Sequence, residues 1–316
     1  MIKKLMFSLI TKPWMQSRFL VSYIIFVALL IVGQIISPGY LSVGHLISLL
    51  TLAAPLGLMA MGETIVMLLG RNDLDISVGD QASFAMILAA LLLQSQPLWL
   101  IALIIVTLGF AFGALNGIGI RILNIPALIM TYITGRLLYG LSIAITKGTP
   151  SGYASEVLIE ISSFPTIDII WLILAFITIF ALEKTVLGRC IYAIGDNPVA
   201  ARNSGIPIKL ISIIVYALSG ALSALSGLFL LGIFEIPAQY GLVSGYSLQA
   251  IVAVILGGTV AGRGSYVGTV GGVLVLTTLN DFFTIFNIPE AERIVLYGIT
   301  LAIILLFYGK RERLRI

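Results

Sequence analysis

Within ten residues, from Asn72 to Gln81, the chain sets three carboxylates (Asp73, Asp75 and Asp80), two side-chain amides and the Ser77 hydroxyl. Groups of this kind, close together, hydrogen-bond the hydroxyls of a polyol. The same groups cap helices, because an Asp or Ser oxygen accepts a first-turn amide. Both readings stand for Asp75 and Ser77. Further along, Arg136 falls in the middle of the apolar run 126–146, where a guanidinium costs at least about 2.5 kcal/mol unless it is paired or hydrated. Thr131 and Thr134 share that run, which gives the helix a polar side suited to lining an aqueous passage. An ion pair of Arg136 with Glu63, or with a second subunit, is the competing reading.

A third stretch looks soluble. YAIGDNPVAARNSGIP, residues 192–207, lies in a polar insertion of about 183–208 between apolar runs. Asp196 or Asn197 can accept a hydrogen bond from a first-turn amide, and Pro198 suits the first helical position, where its missing N–H is not needed. Gly205 can take the left-handed conformation that ends a helix, and Pro207 keeps it ended. So short a helix is marginal alone, since nucleation is unfavourable below about 12 residues. Ala200 and Ala201 give it a small, smooth surface and Arg202 a planar cation, which suit a groove on a cytoplasmic protein. A connecting loop with an incidental cap is the alternative.

Covalent chemistry is poorly served. One histidine, His45, and one cysteine, Cys190, cannot assemble a His/Cys zinc site or an internal disulfide. No Gly-x-x-x-x-Gly-Lys-Ser/Thr loop occurs, so the chain does not hold ATP in that way. The sequence therefore reads as no enzyme, with no metal and no cofactor of its own. A net charge of +4 hints at nucleic acid, but the basic residues sit at the edges of apolar runs rather than on one face, which suits a lipid bilayer and no nucleic acid.

The elements that position these groups follow from composition. With 59% hydrophobic residues and 10% charged, against roughly 25% charged in a soluble domain, the chain reads as an all-α membrane protein. About ten apolar runs are expected to cross the bilayer: 19–37, 43–69, 78–94, 98–120, 126–146, 167–182, 209–233, 245–262, 265–286 and 293–308. The first is longer than a signal-peptide core and is expected to be retained. Pro55 and Gly57 are expected to kink or break the second. With both termini cytoplasmic, 15 of the 18 Lys and Arg fall inside, Lys147 and Arg293 outside and Arg136 within a span, as the positive-inside rule requires. That topology sets the Asp75 junction near the inner surface, with a re-entrant break as the alternative. Gly220, Ser223 and Gly227 share one helix face and predict close packing. No insertion is long enough for a separate domain, so residues 1–316 are read as one polytopic domain in the bacterial inner (plasma) membrane.

Several elements together resemble one family. GRCIYAIGDNPVAARNSGIPI (188–208) resembles the cytoplasmic coupling segment of permease subunits of ATP-binding-cassette (ABC) importers of the ribose and simple-sugar type. NDLDISVGD (72–80) is similar to that family's Gly-Gly-Ile-Asp-Leu-Ser-Val-Gly element, NIPALIMTYIT (124–134) to its Pro-x-x-Ile-x-Thr-x-x-Thr stretch, and GYSLQAIVAVILGGT (245–259) to its Gly-Tyr-Glu-Leu-Asp-Ala-Ile region. All occur in family order, and the likeness covers about residues 20 to 308. It implies a pathway built by two permease copies, or by one and a similar paralogue. It further implies cassette ATPase subunits that bind ATP and Mg, and an extracytoplasmic solute-binding protein that delivers the sugar. Gly195, Asp196, Asn197, Pro198, Ala200, Arg202 and Gly205 would couple to the ATPase; Asp75, Ser77, Thr131, Thr134, Arg136 and Gln249 would border the pathway.

The departures bear on the substrate. Asn72 and Asp73 stand where the family usually has two glycines, Ser247 and Gln249 where it usually has Glu and Asp, and VAGRGS (260–265) is about two residues short. Branched-chain amino acids are the rival substrate. Ion-coupled secondary transport is the rival mechanism, although the spans show no evident repeat and Glu63 is the one carboxylate well inside a span.

Overall fold

A backbone surrounded by hydrocarbon must bond its own N–H and C=O groups, so long apolar runs become helices. The computed structural model describes residues 13–238, 243–289 and 291–300. Its helices are α1 (Pro13–Ile36), α2 (Val43–Met67), α3 (Val78–Leu92), α4 (Leu98–Arg121), α5 (Ala127–Thr146), α6 (Glu156–Ile161), α7 (Thr166–Lys184), α8 (Val186–Asp196), α9 (Pro198–Asn203), α10 (Ile208–Phe234), α11 (Tyr246–Leu256) and α12 (Tyr266–Ile285). Residues 291–300 are helical as well. Each of the ten apolar runs falls on a helix; the end of the last, and the basic residues at 3, 4, 12, 310, 311, 313 and 315, lie outside the described residues. By length and composition α2, α4, α5, α7, α10 and α12 can cross a membrane, whereas α3 and α11 have only 15 and 11 residues.

α10 is the centre of the bundle, packed on α2, α3 and α4. Small residues bring the helices together, as their spacing predicts. On α4, Gly109, Gly113 and Gly117 recur every fourth residue; a Cβ there would lie 2.4 Å from the Gly220 carbonyl oxygen, 2.2 Å from that of Tyr216 and 2.6 Å from Ile213 Cα. α2 runs unbroken through Pro55, so the break expected as one outcome there does not occur. Its neighbours hold the helix at that point: Ser226 donates to the Pro55 carbonyl (2.7 Å). The missing side chain of Gly57 makes room for Trp171, whose indole N–H donates to Tyr266 Oη (2.8 Å), itself a donor to the Gly57 carbonyl (2.9 Å). Outward, α4, α5 and α7 expose Trp99, Leu103, Ile129, Ile133, Leu172 and Phe176, a surface that only lipid or protein can cover.

Helix ends collect in two sets. At one, the Met67 carbonyl accepts the Gly262 N–H (3.1 Å), Asp73 pairs with Arg121 (2.6 Å) and Asp196 with Arg263 (2.9 Å). At the other, His45 bonds Asp281 (3.0 Å), Thr51 donates to Asp168 (3.1 Å) and the Ala154 N–H to the Glu235 carbonyl (2.7 Å). The start of α2 thus sits with the end of α12, the start of α7 and the end of α10.

α3 begins at neither set. Residues 68–77 turn back from the end of α2 into the bundle, and Asp75 reaches Ser219 (3.3 Å), the twelfth of the 27 residues of α10. α10 is about 40 Å long, so the junction lies near mid-depth, not near the inner surface. Such backbone is tolerated because protein supplies its partners. α11 starts at the same level, where the Gly79 N–H donates to Ser247 Oγ (2.8 Å).

Candidate functional site

At mid-depth the polar side chains form one chain of hydrogen bonds. Glu63 accepts the Asp75 N–H, 3.1 and 3.4 Å from its two oxygens. The Asp75 carboxylate accepts from the Ser77 N–H (3.0 Å), the Ser77 hydroxyl (2.5 Å) and the Ser219 hydroxyl. Ser77 Oγ accepts from Gln81 Nε2 (2.7 Å) and Asn116 Nδ2 (3.0 Å), and Asn116 Oδ1 accepts the Thr134 hydroxyl (2.6 Å). Thr131 Oγ1 accepts the Ile76 N–H (3.3 Å) and donates to the Ala127 carbonyl (2.9 Å). Glu63, Asp75, Ser77, Asn116, Thr131 and Thr134 are all buried. Buried polar groups persist when they are hydrogen-bonded, and the network, in which the buried Gln81 Oε1 alone has no partner among the described residues, ties together α2, α3, α4, α5 and α10. The side-chain cap at this helix start comes from Asp75. Ser77 makes none, its hydroxyl being turned onto Asp75.

Arg136 is the tenth of 20 residues in α5. Its Nη2 donates to both carboxylate oxygens of Asp80 (2.9 and 2.7 Å), and the Ser244 hydroxyl donates to the same carboxylate. Asp80, and not Glu63, is therefore its ion-pair partner. Gly135 permits the approach, since a Cβ there would stand 2.3 Å from Asp80 Oδ2. The rings of Tyr132 and Tyr139 lie 5.6 and 5.2 Å from the guanidinium carbon. The Arg136 side chain stays 45% exposed while Asp80 is 7% exposed. Gln249 has a different partner, accepting from Asn280 Nδ2 (3.0 Å) between α11 and α12.

On the face that carries α8 and α9, α8 buries Gly188, Ile191 and Ile194 at helical spacing. Tyr192 Oη donates to the Gly264 carbonyl (3.1 Å); burial, and then Glu183, push this hydroxyl up to about 12, so it stays a donor at physiological pH. α9 is capped as its residue types predict. Asn197 Oδ1 accepts the N–H groups of Val199 and Ala200 (3.0 Å each), Pro198 opens the helix, and Gly205 takes a φ of 79° beyond its end. Asp196 closes α8 and pairs with Arg263 instead of capping. Val199, Ala200 and Arg202 are exposed, whereas Ala201 is buried against the protein and offers no surface to a partner. Gly195 is tightly enclosed: a Cβ would lie 2.2 Å from the Leu68 carbonyl oxygen and 2.9 Å from that of Gly262. α8 thus meets the segments after α2 and α11 backbone to backbone.

An apolar bundle with a buried polar layer and an exposed, capped helix beneath it fits transport better than catalysis. Residues 45–304 match the family described as branched-chain amino acid transport system, permease component. The chain belongs to this permease family. It is 30% identical over 315 residues to the ribose import permease protein RbsC of Escherichia coli (strain K12), covering 96% of each chain. To the autoinducer 2 import system permease protein LsrC of Salmonella typhimurium (strain LT2) it is 33% identical over 301 residues, covering 89% of this chain and 84% of the relative. No solved structure matches it. The permease is a multi-pass inner-membrane protein and a transport subunit, not an enzyme.

Of the permease residues singled out by type, Asp75, Ser77, Thr131, Thr134 and Arg136 meet in one layer, and Gln249 bonds Asn280 instead. Asn116, Ser219 and the role of Asp80 were missed. Asn116 was visible as an amide inside an apolar run; Ser219 was hidden among the small residues of α10.

Proposed function

We propose that this permease is the membrane-spanning subunit of an ATP-driven importer of the ABC type, carrying a monosaccharide or a related small polar solute into the cytoplasm. The single observation that carries the reading is the likeness, from end to end, to a ribose import permease. Ten crossings with both termini cytoplasmic accord with the two sets of helix ends and with the placement of the basic residues. Cassette ATPase subunits, binding ATP and Mg, dock on α9 and the residues around it: Gly195, Asp196, Asn197, Pro198, Ala200, Arg202 and Gly205. A solute-binding protein delivers the sugar from outside, and a second permease copy or paralogue completes the pathway. Arg136 borders that pathway, and Asp75, Ser77, Thr131 and Thr134 brace the helices behind it.

Purification from native membranes through a C-terminal tag, followed by reconstitution with the co-purifying proteins, tests this. A cassette ATPase should co-purify, sugar-loaded binding protein should stimulate hydrolysis, and ribose uptake should require ATP. Uptake under an ion gradient without ATP overturns the proposal. The family's description favours one second reading, branched-chain amino acids, and ATP-dependent leucine uptake without ribose uptake would establish it.

A further inference from the structure

Arg136 stands about 14 Å from either end of α5, at the level where α3 and α11 both begin. Nearly half of its side chain is exposed. A cation facing hydrocarbon at that depth is disfavoured by at least about 2.5 kcal/mol. Asp80 offsets the charge, but both bonds use Nη2, so the Nε and Nη1 hydrogens have no hydrogen-bond acceptor among the described residues. They need one, and lipid tails supply none. This face of α5 therefore looks onto water or onto something polar.

Its chemistry narrows the choice. The guanidinium is neutralised by a carboxylate bonded through both oxygens, so the pair has little net attraction for an anion or a cation. An amino acid would call for separated centres of both signs. What the face does offer is N–H donors with no acceptor among the described residues, the Ser244 hydroxyl oxygen, and two aromatic rings, of which Tyr132 is 56% exposed. A sugar ring is complementary: hydroxyls for the donors and acceptors at its rim, and an apolar C–H face to lie on a tyrosine ring. Resting on the sugar-import reading above, we propose that Tyr132, Arg136 and Tyr139, with Ser244, form the part of the passage wall that contacts the sugar ring at mid-membrane, and that the buried Asp80 holds Arg136 in place there.

The test uses the full complex of permease, ATPase and binding protein in vesicles, with Tyr132→Cys made in a Cys190→Ser chain. A charged, water-soluble thiosulfonate should label the thiol at position 132 and abolish ribose uptake, and saturating ribose should slow labelling at least fivefold. Phe176→Cys, on the apolar outer face of α7 and 70% exposed, should react only with a lipid-soluble maleimide. If the thiol at position 132 behaves like the one at position 176, or if two copies join through it in a disulfide that ribose does not affect, the face meets lipid or a second subunit and the inference is overturned. Tyr132→Leu keeps an apolar side chain and removes the ring: uptake should fall at least tenfold with ATPase co-purification unchanged, and native uptake overturns the inference as well. If the unsubstituted complex imports no ribose, the sugar reading itself fails and takes this inference with it, whatever the labelling at position 132 shows.

Discussion

Replacing Gly195 by alanine adds one methyl group to the joint between α8 and the bundle. The new Cβ would stand 2.2 Å from the Leu68 carbonyl oxygen, 2.9 Å from the Gly262 carbonyl oxygen and 3.0 Å from Gly262 Cα. Ordinary C···O contacts begin at about 3.3 Å, and all three neighbours are backbone, so no rotamer change relieves the clash. Overpacking of this kind costs about 1–3 kcal/mol. If displacement of α9 reaches α2 and α11 through this contact, the same misfit falls on the transport step, about a five- to 150-fold loss. The exposed surface of Val199, Ala200 and Arg202 is untouched, so the ATPase should bind and hydrolyse ATP near native levels. The assay is the ratio of sugar imported to ATP hydrolysed in reconstituted vesicles. Gly44→Ala, at the start of α2, is the control: nothing lies within 4 Å of a Cβ there, so it should not alter that ratio. A Gly195→Ala permease that imports within twofold of native refutes the joint as the transmitting contact.

Three further outcomes follow from the geometry. Asn197→Ala removes the acceptor of two first-turn amides and should cost about 1 kcal/mol, read as roughly fivefold weaker retention of the ATPase on the tagged permease, with Asn197→Asp near native. Arg121→Met leaves Asp73, 8% exposed, with the Tyr216 hydroxyl as its one side-chain partner among the described residues. Stranding a buried charge costs about 3–5 kcal/mol, so the detergent-solubilised Tm should drop by several degrees and recover in the Arg121→Met, Asp73→Asn double variant. Gly113→Leu forces α4 off α10, where even a Cβ would lie 2.2 Å from a carbonyl oxygen; gel filtration should show loss of the monodisperse peak.

What the sequence made legible was whatever depends on near neighbours. Asn197, Pro198 and Gly205 set the bounds of α9 by capping and backbone preference, and each apolar run marks a helix because hydrocarbon permits little else. What failed depends on contacts far apart in the chain. Pro55 did not break α2 because helices distant in sequence pack around it. The partner of Arg136 went unidentified because Asp80 reaches it only where Gly135 lacks a side chain. α8 escapes notice inside the polar insertion because its 11 residues are too few to cross a membrane, and only the segments after α2 and α11 give its buried side a surface to cover.

The level at which α3 begins also bears on how the chain enters the membrane. A helix needs about 20 apolar residues to span the hydrocarbon; α3 has 15 and carries Asp80 and Gln81 in its first turn. An aspartate at mid-span adds about 2.5–3.5 kcal/mol to insertion, and the counter-charge that offsets it is 56 residues later. At about 5–20 residues per second of synthesis, the ribosome needs about 3–11 s to make up that interval. During that time Asp80 lacks its counter-charge, and insertion of α3 is expected to wait for α5. Chains truncated before Ala127 should leave the segment around Asp80 open to protease in isolated vesicles, and chains extended past Thr146 should protect it. Insertion of this permease is then governed by the order in which a carboxylate and its guanidinium are synthesised as well as by hydrophobicity.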